Sequence, residues 1–252
     1  MTTLDEATSR LGEFLSDSRK AVFFGGAGIS TESGIPDFRS STGLYTTASG
    51  EGWPPEFLLS HTCYRDYPRD FFSFYRDSML YPDAKPNAAH LALARLEDLG
   101  VLSAVVTQNI DGLHQAAGSK VVHELHGNVH RNYCDRCFTR YGLDVILESD
   151  GVPTCECGGV IKPDVVLYEE PLDSDVIEAA VEAISEADTL IVGGTSLNVY
   201  PAAGLVRYYR GRQLVLINKS ETMFDRNANL VIHDSLGKVL SEALLKVEAN
   251  RS

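Results

Sequence analysis

The chain has 252 residues, 44% of them apolar and 23% charged, with a net charge of −13 and a pI near 4.9. Such a composition suits a soluble globular protein long enough to bury a core without cross-links, and no apolar run approaches the roughly 20 residues that span a bilayer. An acidic surface repels phosphate backbones, which argues against general nucleic-acid binding; it serves solubility alone or mildly attracts lysine-rich protein segments. The start, Met1-Thr2-Thr3-Leu4-Asp5-Glu6, lacks the basic region and apolar core of a secretion signal, so a cytoplasmic location is expected.

In chain order, Leu4 to Ser18 has helical spacing, with Leu11, Phe14 and Leu15 on one face. Lys20 to Phe24 reads as a short buried strand stopped by Gly25-Gly26, and Pro54 to Leu80, rich in aromatics and arginine, as short helices. Pro86 to Leu96 is an amphipathic helix with proline near its start, and Leu102 to Thr107 is a second buried strand. Residues 131 to 162 change character, with cysteines, charges and glycines, and look like an inserted module. The alternation then returns: a strand at Val165 to Tyr168, a helix at Asp175 to Ala187, a strand at Thr189 to Val192, helical residues at Leu205 to Tyr209, a strand at Gln213 to Ile217 and a closing helix at Leu236 to Val247. Short apolar strands alternating with helices predict a parallel, doubly wound sheet, whose ligands bind at the carboxyl ends of the strands.

Three strand ends carry unusual residues. The first reads Gly25-Gly26-Ala27-Gly28-Ile29-Ser30-Thr31. Its Gly-x-Gly is either a tight turn or the start of a dinucleotide fingerprint whose third glycine is replaced by Thr31. The continuation through Ser33-Gly34-Ile35-Pro36-Asp37-Phe38-Arg39 gathers an acid, an aromatic and a guanidinium, a set that a surface turn does not need. At the second end, Gln108, Asn109 and Asp111 leave an apolar strand together. Helix capping accounts for one of them; a polar ligand accounts for all three. The third is Gly193-Gly194-Thr195-Ser196.

Histidine suits proton transfer near neutral pH. Of seven, His123 and His126 stand three apart like a metal pair on a helix, but Gly127 stops the element. The cysteines are better ligands: Cys134-x-x-Cys137, then seventeen residues, then Cys155-x-Cys157. Four thiolates suit a closed, structural Zn2+ site, the alternative being two disulfides. Cys63, alone in sequence, is read as a structural or incidental thiol.

Together the segments Gly26 to Arg39, Thr107 to His114, His126-Gly127, the four cysteines, Lys162 to Tyr168, Gly194 to Leu197 and Ile217 to Lys219 resemble the sirtuin family, in order along nearly the whole chain. The resemblance implies a single catalytic unit with a large Rossmann-like domain (about 1–40, 86–130 and 163–252) and a small domain from two insertions, one helical (about 41–85) and one holding zinc (131–162). It implies NAD as co-substrate and acetylated lysine side chains of proteins as partners; a monomer is expected. Ala27, Thr31, Phe38 and Arg39 would line the NAD site. Gln108, Asn109, Ile110 and Asp111 would hold the nicotinamide ribose and amide. Thr195, Ser196, Asn218, Lys219 and Asp234 would contact the adenosine half, and Val166 and Tyr168 would flank the acyl-lysine. In the implied reaction the acyl oxygen attacks C1′ of the ribose, nicotinamide leaves, His126 with Asn109 serves the ribose hydroxyl chemistry, and water yields lysine and O-acetyl-ADP-ribose.

Two departures stand out. Glu169-Glu170 occupies a place where many relatives carry glycine before the second acid, making the peptide rim more acidic. The Tyr-x-x-Arg of relatives that remove succinyl groups is missing from the helical insertion, which favours acetyl. The rival readings are a dehydrogenase on the same fold, a non-catalytic NAD-sensing module, and an NAD glycohydrolase or ADP-ribosyltransferase.

Overall fold

The computed structural model describes residues 3–37, 52–222 and 224–251. Helix α1 (Leu4–Ser16) opens with a capping box in which the Thr3 hydroxyl accepts from Glu6 N and the Glu6 carboxylate accepts from Thr3 N. Strand β1 (Ala21–Gly25) leads into a 3-10 turn (Ala27–Ser33). The aromatic segment forms α2 (Pro55–Leu58), α3 (His61–Asp66) and α4 (Pro68–Met79). Next come α5 (Ala88–Asp98), β2 (Leu102–Thr107), α6 (Leu113–Ala117), β3 (Val122–Glu124), β4 (Gly127–Cys134), β5 (Arg140–Tyr141), α7 (Leu143–Glu148) and β6 (Ile161–Val165). Helix α8 (Ser174–Glu186), β7 (Thr189–Gly193), a second 3-10 turn (Ala202–Tyr208), β8 (Gln213–Ile217), β9 (Leu230–Ile232) and α9 (Leu236–Arg251) complete the order.

The main sheet is parallel in the order β3-β2-β1-β7-β8-β9. Its central strands β1 and β7 are buried along their whole length, and period-two alternation sends the side chains of the sheet to two cores. Phe23, Val105, Ile191 and Val215 face α1, α5 and α9, whereas Phe24, Val106, Val192 and Leu216 face α8 and the second 3-10 turn. The order reverses between β1 and β7, the topological switch point at which a ligand crevice forms. A smaller antiparallel sheet, β5-β4-β6, shares a third core with α2 to α4, in which Phe71, Phe72 and Tyr75 meet Val129, Ile161 and Val165.

Several elements differ from expectation. The strand predicted at Val165 to Tyr168 lies earlier, at Ile161–Val165, because pairing with β4 sets Cys134 opposite Ile161 and Asn132 opposite Pro163. Proline is tolerated there because β6 is an edge strand and needs no outward donor. Of the predicted Leu205 to Tyr209 helix, Leu205 to Tyr208 belong to a 3-10 turn rather than an α-helix and Tyr209 is its extended cap. His123 stands on β3 and His126 in the turn before β4, so the two do not share a helix face. No helix among the described residues is long and apolar enough to cross a membrane.

Candidate active site

The loops after β1, β2, β7 and β8 open onto one cleft of about 840 Å³, closed on its far side by residues 165–170 and α4. Ala27 and Thr31 line it from the first loop, Gln108, Asn109, Ile110 and Asp111 from the second, and Thr195 and Ser196 from the third. Asn218, Lys219 and Asp234 lie at one end, with His126, Val166 and Tyr168 on the opposite wall. Phe38 and Arg39 lie outside the described residues.

The glycines of the first loop let two loops touch. Gly28 N donates to Gly194 O at 2.8 Å. A Cβ at Gly28 would stand 2.6 Å from Gly194 Cα; one at Gly194, whose φ is 61°, would stand 2.5 Å from Ile29 N. The Gly-x-Gly is thus a packing device as well as an open loop at the switch point.

Ser30, given no role from sequence, ties the first two loops together. Its hydroxyl donates to Asp111 Oδ2 at 2.6 Å and accepts from Asn109 Nδ2 at 3.0 Å. Asn109 Nδ2 also donates to Gly26 O, and Asp111 Oδ1 accepts from Leu113 N at 2.9 Å. A bond to the first residue of α6 and the tie to Ser30 therefore coexist at Asp111, while the N-cap position itself is Gly112. Gln108 Nε2 donates to Thr195 Oγ1 at 3.2 Å. Asn218 clasps the backbone of Thr195, accepting from its N–H at 3.0 Å and donating to its carbonyl at 2.8 Å.

His126 is half-buried, with Nδ1 2.8 Å from the Gln108 carbonyl oxygen. A carbonyl only accepts, so Nδ1 carries the hydrogen and Nε2 keeps a free lone pair. Burial holds the imidazole below its ordinary pKa, an effect partly offset by the Gln108 carbonyl. The ring is thus neutral, in a fixed tautomer, at neutral pH.

The opposite wall hangs from the same residue, because Val166 N donates to His126 O at 2.9 Å. Tyr168 exchanges backbone bonds with the connection between α2 and α3, its N–H reaching Leu59 O and its carbonyl accepting from His61 N, both at 3.0 Å. Glu170 sits behind the wall, accepting from Leu167 N (2.9 Å) and Lys162 Nζ (3.1 Å) and lying 2.9 Å from His61 Nδ1. No arginine lines the cleft among the described residues. Arg76 donates to the Gly151 carbonyl and lies over the Phe72 ring, Arg65 pairs with Asp66 at 2.8 Å, and Arg69 is exposed.

The sulfur atoms of Cys134, Cys137, Cys155 and Cys157 lie within 4.8 Å of one another. The separations Cys134–Cys157 (3.4 Å) and Cys137–Cys155 (3.6 Å) are far beyond a disulfide bond. They are close to the edge of about 3.8 Å of a tetrahedron with Zn–S near 2.3 Å. Arg136 N and Cys137 N aim at Cys134 Sγ, and the Tyr141 hydroxyl donates to Cys155 Sγ at 3.0 Å, bonds that suit thiolates. The four cysteines fit a structural zinc. Cys63 is buried and free, apart from the cluster.

A doubly wound sheet with its cleft at the switch point, joined to a four-thiol knuckle, defines an α/β protein of the nucleotide-binding class with a metal-type module. The sequence model of the Sir2 family matches residues 26–201, and the chain belongs to that family. It is 60% identical over 243 residues to an NAD-dependent protein deacetylase of Clostridium perfringens, covering 96% of this chain and 100% of that one. A protein of the same description from Cutibacterium acnes is 58% identical over 232 residues, covering 92% and 95%. Among solved structures, a Sir2 protein with a deacetylated p53 peptide and 3′-O-acetyl ADP ribose superposes with a TM-score of 0.85 at 41% identity, covering 95% of this chain and 98% of that one. A Sir2 homologue in complex with NAD gives 0.86 at 34% identity, covering 96% and 94%.

Proposed function

We propose that this protein is an NAD-dependent protein-lysine deacetylase that releases nicotinamide and O-acetyl-ADP-ribose. The observation that carries the reading is His126: a neutral imidazole, its Nδ1 hydrogen spent on Gln108, its Nε2 free, between the polar strand end at Gln108–Asp111 and the Val166 wall. NAD supplies the ribose C1′ that the acyl oxygen attacks and the hydroxyl that receives the acyl group. His126 acts as general base toward that hydroxyl, and Asn109, fixed by Ser30 and Gly26, orients the ribose. Asp111, Gln108 and Ile110 hold the nicotinamide end, and Ala27, Thr31, Phe38 and Arg39 hold the rest of that half. Thr195, Ser196, Asn218, Lys219 and Asp234 receive the adenosine half. Val166 and Tyr168 flank the acyl-lysine from the wall that hangs on His126.

Cys134, Cys137, Cys155 and Cys157 would hold zinc as a structural ion that fixes the small sheet. The helical segment and the zinc module form one small domain on the parallel-sheet domain, consistent with their shared core. Free, clustered thiols favour a reducing compartment, the cytoplasm, and a cleft assembled within one chain favours a monomer. The net charge of −13 favours basic protein partners over nucleic acid. The test is NAD consumption and nicotinamide release against a panel of acylated lysine peptides. Release that depends on acetyl-peptide supports the reading. Hydride transfer, NAD loss without peptide, or binding without turnover would favour the dehydrogenase, glycohydrolase or sensor alternatives.

A further inference from the structure

Asn87 stands one residue before α5, outside every motif that marks the cleft, yet its side chain reaches the cofactor loop. Its Oδ1 accepts from Ala89 N at 2.9 Å, the N-cap bond of α5. Its Nδ2 donates in the other direction, to Ile29 O at 2.7 Å and to Ser33 Oγ at 2.9 Å. His90 completes the cap, its Nδ1 accepting from Asn87 N at 3.3 Å, and its ring meets that of His114 at 4.9 Å, just past Asp111. One amide therefore serves two elements with its two ends.

The loop it holds is tied to the rest of the chain at Gly28, Ser30 and Glu32 as well as by Asn87. Residues 27–33 form a single 3-10 turn, a helix type with poor hydrogen-bond geometry that is used in short pieces. Their near end is fixed by Gly28 N to Gly194 O. Their far end is fixed by Glu32 Oε1, which accepts from Gly237 N at 3.2 Å, and by Asn87. Between these points lies Ser30, which orients both Asn109 and Asp111. A shift of Ile29 moves Ser30 directly.

We infer that Asn87 is a positioning residue for the NAD half of the cleft: the amide nitrogen sets the cofactor loop while the amide oxygen caps the helix. The inference rests on the NAD-binding reading of the cleft. The two jobs use different atoms, so they can be separated. Asn87→Asp keeps the capping acceptor, which a helix N-terminus favours as an anion, but places an oxygen against the Ile29 carbonyl. Asn87→Ser keeps a capping hydroxyl and is too short to span to the loop. Asn87→Ala loses both functions.

The experiment measures, for wild type and the three variants, the unfolding temperature without ligand, its rise with saturating NAD, and kcat and KM for NAD and for acetyl-peptide. Asn87→Asp and Asn87→Ser are expected to unfold near the wild-type temperature, while KM for NAD rises about tenfold, the scale of one or two lost hydrogen bonds. Their KM for peptide should stay within about twofold and the NAD-induced stabilisation should shrink. A loss confined to Asn87→Ala, in step with its unfolding temperature, would make Asn87 a cap only and overturn the inference. So would a normal KM for NAD in both capped variants. If wild type is stabilised by NAD but turns over no peptide, the deacetylase reading fails while the stabilisation series still decides the role of Asn87.

Discussion

The carboxylate of Glu169 accepts hydrogen bonds from both the backbone N–H (3.0 Å) and the hydroxyl (2.7 Å) of Thr62 while its own backbone holds φ at 75°. A non-glycine residue in the left-handed region costs about 1 kcal/mol or more, and the two bonds offset that cost. Thr62→Val should therefore lower the urea midpoint slightly and raise KM for peptide, with kcat little changed. In a Glu169→Gly background, where glycine relieves the backbone, the same substitution should be nearly neutral. Urea unfolding of the four combinations measures the coupling; additive effects would mean that the pair does not hold this rim.

His126→Ala should keep NAD binding and lose deacetylation by about 10² or more. Because burial holds His126 below its ordinary pKa, the base is neutral above that value, and the acid limb of kcat/KM should fall at a pH below about 6.5. A limb centred above 7 would assign the titration to another group.

Acid should also destabilise the fold through a different pair. Burial drives His90 down to about 4 and His114 down to about 3. The unfolded chain takes up these protons near pH 6.5 and the native state does not. The pair's contribution is fully present above pH 6.5 and is lost as the pH falls toward 4 and then 3. At pH 5.5 the expected loss is about 2–3 kcal/mol for the two groups together, taking about 1.4 kcal/mol for each unit below the unfolded pKa. Urea midpoints at pH 7.5 and 5.5 test it, and His114→Phe should flatten the dependence.

Chelation should remove stability first and activity with it, since the four thiols organise the β5-β4-β6 sheet rather than the cleft. A Cys134→Ser, Cys137→Ser double variant should melt at a lower temperature and lose metal. Full activity in that variant, or no zinc in the purified protein by elemental analysis, would end the structural-zinc reading.

Acetyl-lysine should be preferred over succinyl-lysine. A buried carboxylate costs several kcal/mol unless a cation meets it, and Arg65 and Arg76 are engaged elsewhere while Arg69 is exposed. Matched peptides differing only in the acyl group give the comparison through kcat/KM. Equal or better use of succinyl would require an arginine to turn into the pocket.

Strands β2 and β8 were legible to the residue because both are apolar runs buried by the sheet's two faces. Strands β3 and β9, three residues each, carry too short a pattern to register. Strand β6 is not legible at its own position because Lys162-Pro163-Asp164 looks nothing like a strand alone; partners make it one, with Lys162 drawn inward by Glu170. The described site residues gathered at the strand ends as topology demands. Ser30 and Asn87 carry no sequence signal, because a serine in a glycine loop and an asparagine before a helix each have an ordinary local explanation. Their second partners, Asp111 and Ile29, lie 81 and 58 residues away in sequence.

The contact between Gly28 and Gly194 limits how this chain can change over time. Each glycine is blocked by the other loop's main chain, at 2.6 Å for Gly28 against Gly194 Cα and 2.5 Å for Gly194 against Ile29 N. A clash with a side chain can be rescued by a second substitution that trims it; a clash with main chain offers nothing to trim. A lineage carrying this fold thus has no stepwise route through either position, and a library diversified at both should return glycine at both. New specificity is left to arise from the opposite wall, where Glu169 and Tyr168 are exposed and no main chain of another loop blocks them as it does the two glycines.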